Sequence, residues 1–482
     1  MPLKPDSTLT SAADAAIRPS ACPGLVRVVA ARDGGICRVR LPGGVLRAAA
    51  ARALAAAALT HARGVLELTN RANVQIRGVR ASEEAALSAA LIAAGLGPHG
   101  LHGADTASTR AQTCVADELR NVMQSPLAGL DPHAHDTAPL AAALIDMLQG
   151  EPRFAALSPK FALLLDGGER LAERAHPHDI WLAALPREAE DAGQAHYALG
   201  LAGCPGETPL GTLAASDICA TVRALLHAFL DFADNDSRIQ RMRDIAATNA
   251  MNATNAMDAL LERARGHAGF ALAPYRRDEA TRPRATATNA ALRLGAHALQ
   301  PDGSGYVGAQ PALGRIEAAT LNALATLAQT HGDGTLRVTP WQGLLMPNVS
   351  AQAMPAVLAA FDALGLVVTR AHPLARLIAC AGSPGCAKSH ADTKADAHRL
   401  AALLPHDANA AEVHLSGCER SCAAAHRATF TLLACAPGHY DLYRRDDVDE
   451  KAARFGRLVA PNLTIEAAAP LLARRTRSNT DV

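Results

Sequence analysis

GVLRAAAARALAAAALTHARGVLELTNRANVQIRGVRASEEAALSAALIAAGL, residues 44–96, returns 270 residues later as GRIEAATLNALATLAQTHGDGTLRVTPWQGLLMPNVSAQAMPAVLAAFDALGL, residues 314–366, without a gap. About 20 of the 53 positions are identical, roughly half of them alanine. Gly44/Gly314, Leu54/Leu324, His61/His331, Gly64/Gly334, Leu66/Leu336, Thr69/Thr339, Val79/Val349, Gly95/Gly365 and Leu96/Leu366 are among the matched pairs. Shared composition alone would not preserve the order helix, turn glycine, strand, second helix, so the chain is read as duplicated. Each copy spells β-α-β-α. In the first, 36–41 alternates like a strand and 48–62 is a helix ended by Gly64. Residues 65–69 and 74–76 are strands, and 82–94 is a helix closed by Gly95. Elements in this order give a sheet covered by helices, an α/β (α+β) class.

A second α/β segment follows each copy, at 116–244 and 376–472. The expected units are 20–100, 105–245, 305–370 and 375–475. Residues 246–300 form a linker, part helix and part loop, that holds the low-complexity run TNAMNATNAM (248–257).

The chain has 482 residues and is 49% hydrophobic, enough for several cores. A net charge of +1 leaves no global basic footprint for nucleic acid, and 3% aromatics leaves few stacking platforms. Any anion must therefore meet a local cluster of cations. Residues 1–23 lack a basic start followed by a long apolar run, which argues against a secretory signal. The most apolar stretch, 48–59, is broken by Arg52 and too short to span a bilayer. Ten irregularly spaced cysteines in a chain this long suit intracellular thiol or metal chemistry, so a cytoplasmic protein without membrane partners is expected.

Four of those cysteines form a pattern. Cys380-x5-Cys386 and Cys418-x3-Cys422 are 31 residues apart. Gly382, Pro384 and Gly385 favour a tight first loop that turns backbone N–H groups toward a bound cluster. A helix over 390–404 and a strand over 412–415 would return the chain to the same end. Four thiolates suit a 4Fe–4S cube. The alternatives are structural zinc, for which a gap of five is wide, or buried free thiols. Cys22, Cys37, Cys114, Cys204, Cys219 and Cys435 lie scattered and read as ordinary thiols.

C-x5-C followed by C-x3-C in the second half of a duplicated chain resembles the sulfite and nitrite reductases. That resemblance covers nearly the whole sequence. It implies two ferredoxin-like half-domains and two larger α/β lobes, with the last cysteine bridging cluster and sirohaem. ACPGLVRVVAARDGGICRVRLPGG (21–44), LTNRANVQIRGV (68–79), RNVMQSPLAGLDP (120–132), RVTPWQGLL (337–345) and HLSGCERSCA (414–423) look closer to one branch, the precorrin-3B synthases of aerobic cobalamin biosynthesis. Two departures from the reductase pattern point the same way. Reductase sites resemble one another in carrying two arginines and two lysines. Here Arg71, Arg120 and Lys160 match, and Ala162 replaces the second lysine. Glu-Arg-Ser fills the C-x3-C gap, where sirohaem enzymes have Pro-Asn-x.

The resemblance implies an oxygen-dependent hydroxylation of precorrin-3A at C20 with closure of a γ-lactone. Arg71, Arg77, Arg120, Lys160 and Arg337 are the candidate clamps for the carboxylates of the tetrapyrrole, since guanidinium forks pair bidentately with such groups. The branch also implies a mononuclear non-haem iron beside the cluster. His176 and His178, or His390, Asp392 and His398, are candidates, and the site stays unassigned. No strand leads into GxGxxG, and GLAGCPG (200–206) lacks the third glycine, so electrons from NADH would arrive through a separate reductase or a ferredoxin. A sirohaem-dependent sulfite or nitrite reductase is the alternative enzyme, and a non-catalytic cluster or tetrapyrrole binder the alternative class.

Overall fold

The computed structural model describes residues 22–98, 107–186, 194–245, 253–275, 290–424, 428–445 and 455–477. The N-terminal reading (1–21) and the linker segments 246–252 and 276–289 lie outside them. In the first repeat, β1 (Val29–Ala31), β2 (Gly34–Val39), β3 (Val45–Arg47), β4 (Val65–Leu68) and β5 (Val74–Val79) accompany helices α1 (Ala48–His61) and α2 (Glu84–Ala93). Strand β2 shows the alternation that makes it a strand: Cys37 and Val39 point into the core, Arg38 and Arg40 to the other face. Helix α1 buries Ala51, Leu54, Ala55 and Ala58, one stripe at helical spacing. Its small alanines let it lie close against the matching helix of the second repeat.

The first lobe carries α3 (Ala107–Glu118), β6 (Val122–Gln124), α4 (Ala138–Gly150), β7 (Leu163–Asp166), β8 (His178–Ala184), β9 (His196–Gly203), β10 (Gly211–Ala214) and α5 (Ile218–Asn235). Helix α6 (Ala253–His267) follows. The second repeat holds β11 (Gly295–Ala298), β12 (Gly305–Ala309), β13 (Arg315–Glu317), α7 (Ala318–His331), β14 (Thr335–Val338), β15 (Leu344–Val349) and α8 (Met354–Ala363). The second lobe has β16 (Leu377–Ala379), α9 (Thr393–Leu403), β17 (Val413–Ser416), β18 (Phe430–Ala436), β19 (His439–Arg444), β20 (Arg457–Leu463) and α10 (Ile465–Arg477). These are the two ferredoxin-like halves and two mixed α/β lobes that the sequence led to expect.

Neither repeat closes its own sheet. The first runs β1-β2-β5-β4-β13 and the second β11-β12-β15-β14-β3, so each copy supplies the other's fifth strand. The exchanged pairs are in register, Ile316 opposite Leu66 and Leu46 opposite Leu336. Both repeats consequently share one hydrophobic core. The two lobes have the same topology as each other: three parallel strands followed by two antiparallel ones, β6 to β10 and β16 to β20.

The linker is shorter than its composition suggests. Helix α6 buries Ala256, Leu260, Leu261 and Ala264 in the core of the first lobe, and β11 already belongs to the second repeat's sheet. Most of that apolar stripe, Leu260, Leu261 and Ala264, lies just past the low-complexity run, with Ala256 and the partly buried Met257 inside it.

The exchange forces close backbone approach at Gly44. It has φ +69°, and a Cβ there would lie 2.1 Å from the Val338 carbonyl oxygen across the junction. Gly365 has φ +76° with open space around it. Gly365→Ala is expected to cost about 1–2 kcal/mol from left-handed strain alone. Gly44→Ala should cost roughly 3 kcal/mol or more, because overpacking adds to the strain. Urea-denaturation midpoints of the two variants check that order.

Candidate functional site

The cysteine loops hang from the ends of β16 and β17, two parallel neighbours. Cys380 follows β16 directly, and its N–H donates to the Leu415 carbonyl at 3.3 Å. Gly382 turns the chain with φ +68°, and the Cys386 N–H closes the loop onto the Gly382 carbonyl at 2.8 Å. The Gly417 N–H donates to Cys380 Sγ at 3.3 Å, and His390 N–H reaches the Gly417 carbonyl at 2.8 Å. Asp392 caps α9 by accepting from the Ala395 N–H, which fixes the segment between the pairs. Burial and the three thiols Cys418, Cys380 and Cys386 all push the Cys422 thiol up. Both cysteine pairs therefore stand at the same end of β16 and β17. Among the described residues, no three His, Cys, Asp or Glu side chains converge closely enough for a single metal ion. Four thiolates are the donor set that a cube takes, one iron to each, and the N–H on Cys380 Sγ is the kind of donor such sulfurs take.

Beside this end lies a cluster of cations. Thr69 Oγ1 accepts from the N–H groups of Arg71 and Asn73, which shapes the β4–β5 turn. The same turn ties Asn70 Nδ2 to the Ala423 carbonyl at 3.3 Å, next to Cys422. Arg71 reaches the Lys160 carbonyl at 3.4 Å, while the Lys160 side chain stands exposed. Burial, Arg241 and Arg38 push Arg71 down to about 10. Arg38 is pushed down to about 10 by burial and Arg40, against the pull of Cys22, Asp117 and Cys422. Arg38 also meets Gln75, whose amide oxygen, suitably oriented, accepts from it at 2.7 and 3.2 Å.

Two buried carboxylates answer only part of this charge. Asp179 takes Arg241 Nε at 2.8 Å. Asp117 takes Arg40 at 2.7 Å and Arg120 at 2.6 Å. Burial alone would raise the Asp117 carboxyl, but Arg40 and Arg120 hold it below its usual range. Among the described residues, Arg38 and Arg71 have no carboxylate partner. A cluster of this kind favours an anion.

Three of the five expected clamps stand apart from this cluster. Arg77 binds Asp33 bidentately at 2.8 Å and donates to the Gly385 carbonyl at 3.0 Å, so it braces the cysteine loop. Arg120 is buried between Asp117 and the Leu96 carbonyl, locking α3 to the first repeat. Arg337 lies on β14, the counterpart of Glu67 on β4, where burial pushes its pKa down against the pull of Asp333 and Asp136. Of the five, Arg71 and Lys160 meet, Arg71 donating to the Lys160 carbonyl. Arg38, Arg40 and Arg241 are the cations that the sequence reading passed over. The alternation in CRVRL, with both arginines on one face of a strand beside a cysteine-rich end, was the available signal for the first two. Arg241 had none.

Matching the two lobe topologies strand by strand shows what stands in the first lobe where the second has its four patterned cysteines. LLLDGGERLA (163–172) overlies VHLSGCERSC (413–422), with Leu165/Leu415, Gly167/Gly417, Glu169/Glu419 and Arg170/Arg420 identical. Ser125 and Asp131 then stand for Cys380 and Cys386, Gly168 and Ala172 for Cys418 and Cys422. Ser125 Oγ donates to the Leu171 carbonyl at 2.6 Å, and Asp131 accepts from the Arg170 N–H at 2.9 Å. Leu127 and Leu171 pack fully buried on Tyr306 and Leu345. Side chains occupy the place.

For a second iron, the rings of His176 and His178 lie 4.8 Å apart between centroids, both buried. His178 Nδ1 is 2.7 Å from the His176 carbonyl, which leaves Nε2 buried without a partner. His390 and His398 are exposed, and Asp392 is occupied as a helix cap. Neither set forms a three-ligand site among the described residues.

Comparison with known proteins identifies the frame. The nitrite/sulfite reductase ferredoxin-like half-domain matches twice, at residues 30–94 and 298–364. The nitrite and sulphite reductase 4Fe–4S domain matches residues 115–252, the lobe without the four cysteines. A precorrin-3B synthase of Sinorhizobium sp is 27% identical over 93% of this chain and 90% of its own length. A chloroplastic ferredoxin–nitrite reductase of Zea mays is 29% identical over 83% of this chain and 69% of its own length. The solved structure of Mycobacterium tuberculosis NirA protein shares the fold, with TM-score 0.67 and 20% identity over 92% of this chain and 80% of that one. No helix among the described residues is long and apolar enough to cross a membrane. Twice-matched halves, exchanged strands and paired lobes place the chain in the nitrite/sulfite reductase family of oxidoreductases.

Proposed function

We propose that the chain is an oxygen-dependent monooxygenase of the precorrin-3B synthase type, with a 4Fe–4S cluster on Cys380, Cys386, Cys418 and Cys422. The observation that carries this reading is the distribution of cations. Asp117 pairs with Arg40 and Arg120, and the buried Ala162 stands in place of a lysine. Arg38 and Arg71 remain, with Lys160 at the rim, spread as the fringe carboxylates of a tetrapyrrole require. The nearly end-to-end match with the Sinorhizobium protein supports the same reading.

In the proposed reaction one atom of O2 forms the C–O bond at C20 of precorrin-3A. The other leaves as water, taking two electrons and two protons. NADH supplies the electrons through a separate reductase or a ferredoxin. The cluster, when bound, provides one-electron transfer. This chain's own residues hold and orient the substrate: Arg38, Arg71 and Lys160 by its carboxylates, with Arg241 fixed behind them by Asp179. A mononuclear non-haem iron belongs to the same reading, with its ligands open.

The competing reading, a sirohaem-dependent nitrite or sulfite reductase, is favoured by the 29% identity to the maize nitrite reductase. A visible spectrum of anaerobically purified protein separates the two. Broad cluster absorption without porphyrinoid bands, followed by turnover of precorrin-3A with O2, is the expected result; intense porphyrinoid bands with nitrite or sulfite turnover would reverse the choice. Cys386→Ser should lose most of its iron and sulfide, and full content in that variant removes Cys386 from the ligand set. Arg71→Ala should weaken precorrin-3A binding by roughly ten- to a hundredfold, the loss of one charge-assisted contact. Arg120→Ala should instead lower stability, since Asp117 would lose one of its two cations. Calorimetric titration and denaturation of the two variants distinguish these outcomes.

A further inference from the structure

Reduction adds an electron to a centre that four thiolates already make negative, so fixed charges nearby bias the equilibrium. Around the Cys380–Cys386 loop such charges are buried, and they come from segments far apart in sequence. Lys394 Nζ donates to the Leu313 carbonyl at 2.8 Å and stands 3.7 Å from Glu67 Oε1. The preceding residue, Thr393, donates its hydroxyl to the Cys380 carbonyl at 2.9 Å, with that oxygen 3.4 Å from Cys380 Sγ. Arg77 lies against Gly385, beside Cys386. Glu67 is shared by Lys394, by Arg77 at 3.7 Å, and by Arg315 of the exchanged strand at 2.8 Å.

Stability does not explain why a lysine is kept here. Buried ion pairs often stabilise no more than apolar side chains of the same volume. What an apolar replacement would not supply is a positive charge beside Cys380.

We propose that Lys394 and Glu67 act as opposed electrostatic controls on the reduction potential of the cluster, the ammonium raising it and the carboxylate lowering it. Arg77 is a fixed background cation, held by Asp33. The step is a single-electron transfer from the donor to the cluster, in which no bond forms or breaks. The inference rests on the cluster standing on the four cysteines and is independent of which substrate the protein takes.

The test is an EPR-monitored redox titration of anaerobically purified, cluster-loaded protein, with iron and sulfide counted first. Lys394→Met should shift the reduction equilibrium about tenfold toward the oxidised form, roughly 59 mV for one electron. Glu67→Gln should shift it by a similar factor in the opposite direction, and Lys394→Arg should keep the parent potential. Loosening of the loop would move both neutralising variants the same way, so opposite signs are the signature. Potentials that stay put, or move together, overturn the inference while leaving the cluster assignment standing. If Lys394→Met cannot hold a cluster, Glu67→Gln decides alone, and an unchanged or lowered potential counts against the proposal. A parent protein without iron and sulfide sinks the assignment and the inference with it.

Discussion

Two short strands, β3 and β13, hold the molecule to its shape. Each has three residues and completes the sheet of the other repeat, so neither repeat can be finished without its twin. An unfilled edge would present unpaired backbone groups and expose the apolar faces of Leu66 and Leu336. The exchange fixes how the halves are oriented, and through them where the lobes' loops meet. Glu67 lies opposite Arg315 of the exchanged strand while also facing Arg77 and Lys394, so the junction and the cysteine loops share one ionic network.

The cation cluster follows from that geometry. The β4–β5 turn reaches Ala423 on one side and Lys160 on the other, with Arg71 at its tip. Asp117 and Asp179 are the selective elements. By pairing with Arg40, Arg120 and Arg241 they convert most of a dense positive site into structural bracing, and they leave two guanidinium groups open.

The duplication, the helix and strand order and the four cysteines were legible because each leaves a local signature: repeated turn glycines, a switch of hydrophobic period, a fixed cysteine spacing. The exchange was invisible, since VLR and RIE look the same whichever sheet receives them. Helix α6 was hidden by low complexity. Among the cations, motif matching picked Arg71, but Arg120 and Arg77 carry the same signal and have different neighbours. Whether an arginine is free depends on an Asp117 or an Asp33 brought to it by folding, and no linear pattern records that partner.

The filled loop of the first lobe has a consequence for descent. If the lobes began alike, losing the cysteines there let Leu127 and Leu171 settle against Tyr306 and Leu345, and the gain in packing then closed the way back. Restoring a centre would need Ser125, Asp131, Gly168 and Ala172 all replaced before any metal could bind. A larger thiol set into the buried sites of Ser125 and Ala172 would cost about 1–3 kcal/mol each, and Gly168 would need a side chain at φ +89°, with nothing gained until the last one arrived. Selection acts on single steps and cannot climb such a path. The asymmetry of the molecule, four cysteines at one lobe's loops and packed side chains at the other's, is therefore a ratchet that packing alone keeps from turning back.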